Sequence, residues 1–195
     1  MKHLIIVFLI LCMVSCNHKK STDPTYNAIT KIDSIEVLFY NSLFESFLTV
    51  DCDEMVYFPE KVDTLDVILE DGSYLPKEST ILKSVITDKN VLYAIEQELD
   101  SMQPLDWNYI DARMKCFIYC ADNQIDTLCI HAYSNFAIYN NRYVRFSNKL
   151  LYLLRKNCGF YRWIGTDMMQ YFNELNDPTF VRETITNRWG QKYKK

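Results

Sequence analysis

Ala112-Arg113-Met114-Lys115-Cys116-Phe117-Ile118-Tyr119-Cys120-Ala121, the pair Asp122-Asn123, and Gln124-Ile125-Asp126-Thr127-Leu128-Cys129-Ile130-His131-Ala132-Tyr133 together decide the fold. Two runs rich in β-branched and aromatic residues flank a pair of turn formers, which reads as a hairpin with a two-residue turn. Ser134-Asn135 and Asn140-Asn141 then punctuate Phe136 to Tyr139 and Arg142 to Phe146. The region therefore predicts an antiparallel meander of four short strands.

Upstream, Ile32 to Tyr40 alternates in part and predicts a strand, with a second around Phe47 to Cys52. Leu65 to Leu69 and Ile81 to Ile86 are further strand candidates, separated by the turn signal Asp71-Gly72. Thr87 or Asp88 caps a helix whose apolar face is Val91, Leu92, Ile95, Leu99 and Met102, and Pro104 stops it. Ser147 caps a second helix carrying Leu150, Leu151, Leu153 and Leu154, and Gly159 ends it. Thr166 opens a third through Met168, Met169, Phe172 and Leu175, and Asp177-Pro178 opens a last one. Strands grouped with strands and helices with helices predict an α+β fold, a meander sheet with helices packed on it, in one domain spanning 29–195.

The chain starts with Met1-Lys2-His3, runs apolar through the eleven residues from Leu4 to Val14, and continues Ser15-Cys16. A helix of that length reaches only ~17 Å, short of the ~30 Å hydrocarbon core, so the run reads as a signal segment and not a membrane span. Met13-Val14-Ser15-Cys16 resembles the lipobox of bacterial lipoproteins, with Met13 where Leu is usual. The resemblance implies a signal peptide over 1–15, cut before Cys16, and a fatty-acyl (palmitate-type) anchor on that cysteine. Residues 16–28 follow as the lipidated cysteine and a polar tether. Asn17 is not the Asp that favours inner-membrane retention in enteric lipoproteins, and no acidic run resembling a surface-export signal follows. In a Gram-negative envelope this predicts an outer-membrane anchor with the domain facing the periplasm.

Composition narrows the functional classes. Nearly half the 195 residues are hydrophobic and there are 14 Tyr, 11 Phe and 3 Trp, which argues against disorder. Four glycines, none paired at the needed spacing, exclude a glycine-rich phosphate loop. Asp33 to Asp111 holds 18 Asp and Glu against 4 Lys, whereas Ala112 to Lys195 holds 13 Lys and Arg against 6 acids. The two halves either neutralise each other in the fold or leave an acidic face that steers a basic protein partner. The basic excess is too modest for nucleic acid.

Cys12 leaves with the signal and Cys16 takes the lipid, so five of the seven cysteines remain: Cys52, Cys116, Cys120, Cys129 and Cys158. If Asp122-Asn123 is the whole turn, Cys116 lies opposite Cys129 with Cα atoms ~4.5–5.5 Å apart, within disulfide range. A Cys116–Cys129 bond is expected on that register; otherwise both are reduced core residues. Cys116, Cys120, Cys129 and His131 would share a face, but four residues of strand separate Cys116 from Cys120 by ~13 Å, too far for one zinc ion. No metal and no cofactor is expected. His131, the single histidine beyond the tether, lies ~6.6 Å along the strand from Cys129, too far to activate it directly.

Asp51, Asp53 and Glu54 form an acidic cluster whose alternatives are a solvated loop, a cation site or an acid–base pair. Pro104-Leu105-Asp106-Trp107-Asn108-Tyr109 places two large aromatics beside polar groups. Such a loop stacks on sugars, anchors a protein partner or folds back as a lid, and Trp107 and Tyr109 are the expected contact residues. Phe160-Tyr161-Arg162-Trp163 links two helices and is expected to pack between them. With no nucleophile motif the chain is not expected to be an enzyme. Its reading is a lipid-anchored envelope protein acting as a non-catalytic binding or interaction module. The rivals are an immunity or inhibitor protein that covers a toxin or enzyme, and a carboxylate-based hydrolase of envelope glycans.

Overall fold

The Asp122-Asn123 turn holds one more residue than the sequence suggests, and this sets the arrangement of the sheet. In the computed structural model, which describes residues 30–41, 49–57, 66–68, 74–76, 81–132, 134–177, 179 and 183–194, strand β6 (Ala112–Cys120) returns as β7 (Ile125–His131). Asn123 N donates to Cys120 O at 3.0 Å, and Cys120 N to Gln124 O at 2.9 Å. Asn123 has φ of 65° and the Asp122 carboxylate accepts from Gln124 N at 3.1 Å. The loop is therefore Ala121-Asp122-Asn123, a type I turn followed by a left-handed residue. Cys116 pairs with Leu128, and Lys115 pairs with Cys129. The one-residue change puts Cys116 and Cys129 on opposite faces, so the expected bond between them does not form.

Seven antiparallel strands make one sheet in the order β4-β1-β6-β7-β8-β9-β5. The others are β1 (Ile32–Tyr40), β4 (Ile81–Ile86), β5 (Gln103–Pro104), β8 (Phe136–Tyr139) and β9 (Arg142–Arg145). Strands β2 (Asp66–Ile68) and β3 (Tyr74–Pro76) pair separately, as do β10 (Ile185–Thr186) and β11 (Lys192–Tyr193). Asn140 and Asn141, with φ of 45° and 64°, form the two-residue turn from β8 to β9. The fold is α+β, with the meander and the grouping of elements that the sequence indicates.

Helices α1 (Lys89–Asp100) and α2 (Asn148–Asn157) cover one face of the sheet. Asp88 caps α1, accepting from Asn90 N at 2.8 Å and Val91 N at 3.2 Å, and Ser147 caps α2. Leu92 and Ile95 of α1 and Leu150, Leu151 and Leu154 of α2 are buried in the main core with Val37, Cys116 and Leu128. Gly159, with φ of 79°, takes the left-handed position after α2. Cys116 and Cys158 are free and buried. Burial raises both thiols, Cys158 to about 12, so they remain protonated and act as packing groups.

Several local expectations change. Residues 49–51 are not strand and Cys52–Glu54 is a 3-10 turn; Phe47 and Leu48 of the expected strand lie outside the described residues, as does Asp71-Gly72. Helix α1 ends at Asp100, before Pro104, and Gln103-Pro104 instead pairs with β9 at the sheet edge, where a missing N–H is tolerated. The single helix expected from Thr166 is two one-turn helices, α3 (Thr166–Met169) and α4 (Asn173–Asn176), broken at Phe172. Pro178 and residues 180–182 of the expected last helix lie outside the described residues; Asp177 accepts from Thr179 N at 2.9 Å in an Asx turn.

One buried ion pair connects this layer. Arg155 of α2 donates to Glu174 of α4 at 2.5 Å and to the Ala132 carbonyl at 3.2 Å. Its guanidinium lies between the Phe160 and Phe172 rings, 4.8 and 4.9 Å from their centroids. Tyr161 OH donates to the same carboxylate at 3.1 Å, and burial beside Glu174 raises the phenol well above its ordinary value. The side chains of Arg155 and Glu174 are only 5% and 2% exposed. Glu174→Ala strands a buried cation and is expected to cost about 3–5 kcal/mol. The double variant Arg155→Met/Glu174→Leu should recover most of that loss. Urea unfolding of the two variants checks this, and equal losses in both would refute the electrostatic account.

Candidate functional site

The register of the central hairpin decides which side chains leave the core. Cys116 and Leu128 point to the helices, so their strand neighbours Lys115, Phe117, Thr127 and Cys129 point to the opposite face. Pairing extends this row as Leu38, Lys115, Cys129, Ile138 and Tyr143 across five strands. Among the described residues no helix packs on this side. Its cover is residues 49–57 together with the segment after β5.

These two segments form a small second core around Met55, Ile110, Ala112 and Cys129. A Cys52–Cys129 disulfide fastens it, with Cα atoms 5.8 Å apart and a sequence separation of 77. Cys129 is thus bonded to Cys52 where the sequence pointed to Cys116. Ala112 N donates to Val50 O at 2.8 Å, Val50 N to the Asp111 carboxylate at 3.1 Å, and Lys115 Nζ to Cys52 O at 2.9 Å. Asp111 also holds Arg113 at 3.0 Å, with the guanidinium over the Tyr40 ring. The 49–57 segment is therefore tied to the sheet by one covalent bond and by hydrogen bonds to its backbone.

Trp107 and Tyr109, the contact residues expected from sequence, meet on this face. Trp107 packs at a tilt on Phe136 with centroids 5.6 Å apart, Phe136 at a tilt on His131 at 4.3 Å, and His131 edge-on to Tyr109 at 6.2 Å. Trp107 and Tyr109 remain 48% and 44% exposed. Sequence reasoning did not connect Phe136 and His131 to them, although strand parity on β7 and β8 carries that signal. Burial lowers the His131 imidazole below its ordinary value; the Asp111 carboxylate opposes this and Arg113 adds to it. Cys129, which shares the face of His131, is engaged in the disulfide and is no free nucleophile.

Beside this strip lies a groove of about 450 Å³. Asp51, Asp53 and Glu54 form one wall, Asn108 and Tyr109 another, and the sheet supplies the floor through residues such as Lys115, Phe117 and Tyr143. The acidic cluster of the sequence is thus the rim of a groove. Glu54 accepts from Asp51 N at 3.0 Å, which keeps the wall folded. A second cleft of about 340 Å³ lies where the chain enters β1, with Glu96, Asp100, Asp122 and Asp126 around Cys120 and Tyr139. There burial and the neighbouring carboxylates, Asp126 first, raise the Cys120 thiol, so it is a poor nucleophile. Among the described residues no cluster of His, Cys, Asp and Glu suits a metal ion, and no helix is long and apolar enough to cross a membrane.

Non-reducing peptide mapping is expected to yield a crosslinked Cys52–Cys129 peptide and none joining Cys116 to Cys129. Cys52→Ser should lower stability by about 2–5 kcal/mol. His131 supplies a second test. Its folded pKa is depressed, so the unfolded chain binds the proton more readily. The corresponding stability is full above the unfolded value of about 6.5 and falls away as pH drops through it toward the folded value. His131→Gln should flatten this dependence in urea unfolding at pH 7.5 and 5.0, and identical slopes would rule the imidazole out as its source.

No family model matches this chain, and no curated protein or solved structure does so either.

Proposed function

We propose that the chain is a lipid-anchored protein of the bacterial cell envelope, carried on Cys16 at the outer membrane and facing the periplasm. Its domain acts as a non-catalytic binding module through the helix-free face of the sheet. One observation carries the binding reading: Trp107, Phe136, His131 and Tyr109 form a continuous aromatic strip with its two outer members half-exposed. Large rigid rings left partly in water lose little side-chain entropy when they are covered, and Trp and Tyr dominate binding energy where partners meet. The signal-like start and the cysteine at its end support the anchor.

Two measurements test this. Cys16→Ala should move the protein from the membrane to the soluble fraction, and unchanged membrane retention would overturn the anchor. A photo-reactive side chain at Tyr109 should crosslink in native envelopes, while one at Tyr171, 70% exposed beyond α3, should not. Equal labelling at the two sites, or none at either, would overturn the binding face.

A further inference from the structure

We infer that the groove beside the aromatic strip is a saccharide subsite, taking a neutral pyranose whose C–H face lies on Tyr109 and whose hydroxyl edge meets Asp53, Asn108 and Asn141. The inference rests on the binding reading above and names its ligand class.

The chemistry of the lining selects the class. Among the described residues the carboxylate of Asp53, the side-chain amides of Asn108 and Asn141 and the hydroxyl of Tyr143 make no hydrogen bond within the protein, and all four line the groove. They supply acceptors and donors together. An anion would meet Asp51, Asp53 and Glu54 on the wall. A cationic peptide would bring its charge up to Lys115, whose ammonium lies 5.2 Å from the Phe117 ring and is held by Cys52 O. An apolar partner would bury every one of these polar groups unpaired, which is costly. A sugar hydroxyl donates and accepts at once, and the axial C–H face of the ring is apolar. The ligand that satisfies both parts of the lining is polyhydroxylated with one apolar face. The volume lies in the range of small-molecule sites, and the strip running on from Tyr109 through His131 and Phe136 to Trp107 offers a path for further sugar units.

The test uses the full chain in detergent with cellotetraose and the tetramer of N-acetylglucosamine as probes, followed by isothermal titration calorimetry. At least one tetrasaccharide should bind saturably. Affinity should fall tenfold or more in Asp53→Asn, a change on the surface turn with no bond to break, and in Tyr109→Ala. Asp100→Asn in the second cleft should leave it unchanged. Failure of both sugars to bind at millimolar concentration overturns the inference, as does binding that neither groove variant weakens. Tetralysine binding in place of the sugars, or persistent Tyr109 crosslinks without sugar binding, overturns the saccharide class and leaves the binding face standing. Loss of those crosslinks removes the face itself.

Discussion

The left-handed backbone of Asn123 sets the phase of the central hairpin, and both faces of the sheet depend on that phase. Side chains alternate along a strand, so one loop residue more or fewer transposes every side chain of β7 relative to β6. With the three-residue loop, Leu128 and Ile130 join Met114, Cys116 and Ile118 in the main core. Cys129 and His131 are delivered to the other side with Lys115 and Phe117. A two-residue turn would bring Thr127 and His131 under the helices and turn Leu128 and Ile130 outward. Asn suits the position because its short polar side chain tolerates positive φ better than most residues. Asp122, bonded to Gln124 N, holds the strand exit in place.

Each face is then consolidated by a different device. The helix side buries a large apolar cluster and closes it with Arg155, whose charge is answered by Glu174, by a backbone carbonyl and by two aromatic rings. The other side has little apolar area to bury and relies on a crosslink. Cys52 and Cys129 are 77 residues apart, so their bond removes a large loop-closure entropy from the unfolded chain. That explains how a segment with almost no regular structure forms a fixed wall. The groove is therefore built on a braced sheet and a stapled turn, so its backbone frame is preorganised.

Much of this was legible in the sequence because local chemistry decided it. Asp88 and Ser147 cap their helices, Asn140-Asn141 turns β8 into β9, and Gly159 ends α2, each by a mechanism confined to a few residues. The Cys116–Cys129 expectation failed because it weighed the turn dipeptide alone. Alternation in β7 carried the missing information, since only the longer loop aligns Leu128 and Ile130 with the apolar positions of β6. Cys52 was out of reach for another reason: its partner is fixed by tertiary placement of a segment with no periodic pattern. The aromatic loop was readable as a contact candidate from Trp107 and Tyr109 themselves. Its completion by Phe136 and His131 needed the register.

The fold also places the groove and strip relative to the proposed anchor. The chain enters the sheet at the Cys120 end of β6, where Ala121 N bonds Lys31 O at 2.8 Å and Thr30 is held by Glu96 at 2.6 Å. His131 pairs with Ala112 at the opposite end, so the nine residues of β6 separate the strip from the entry point by about 30 Å. The thirteen residues between Cys16 and Thr30 span at most about 45 Å. A lipid at Cys16 would therefore keep the entry end within about 45 Å of the membrane and leave the aromatic end free to point away from it. Confinement to a surface would raise the local concentration of the domain, so modest affinity at the proposed subsite would be enough for retention on its proposed ligand. An open polar groove and an aromatic strip suit repeated weak contacts along a chain better than one deep, tight site.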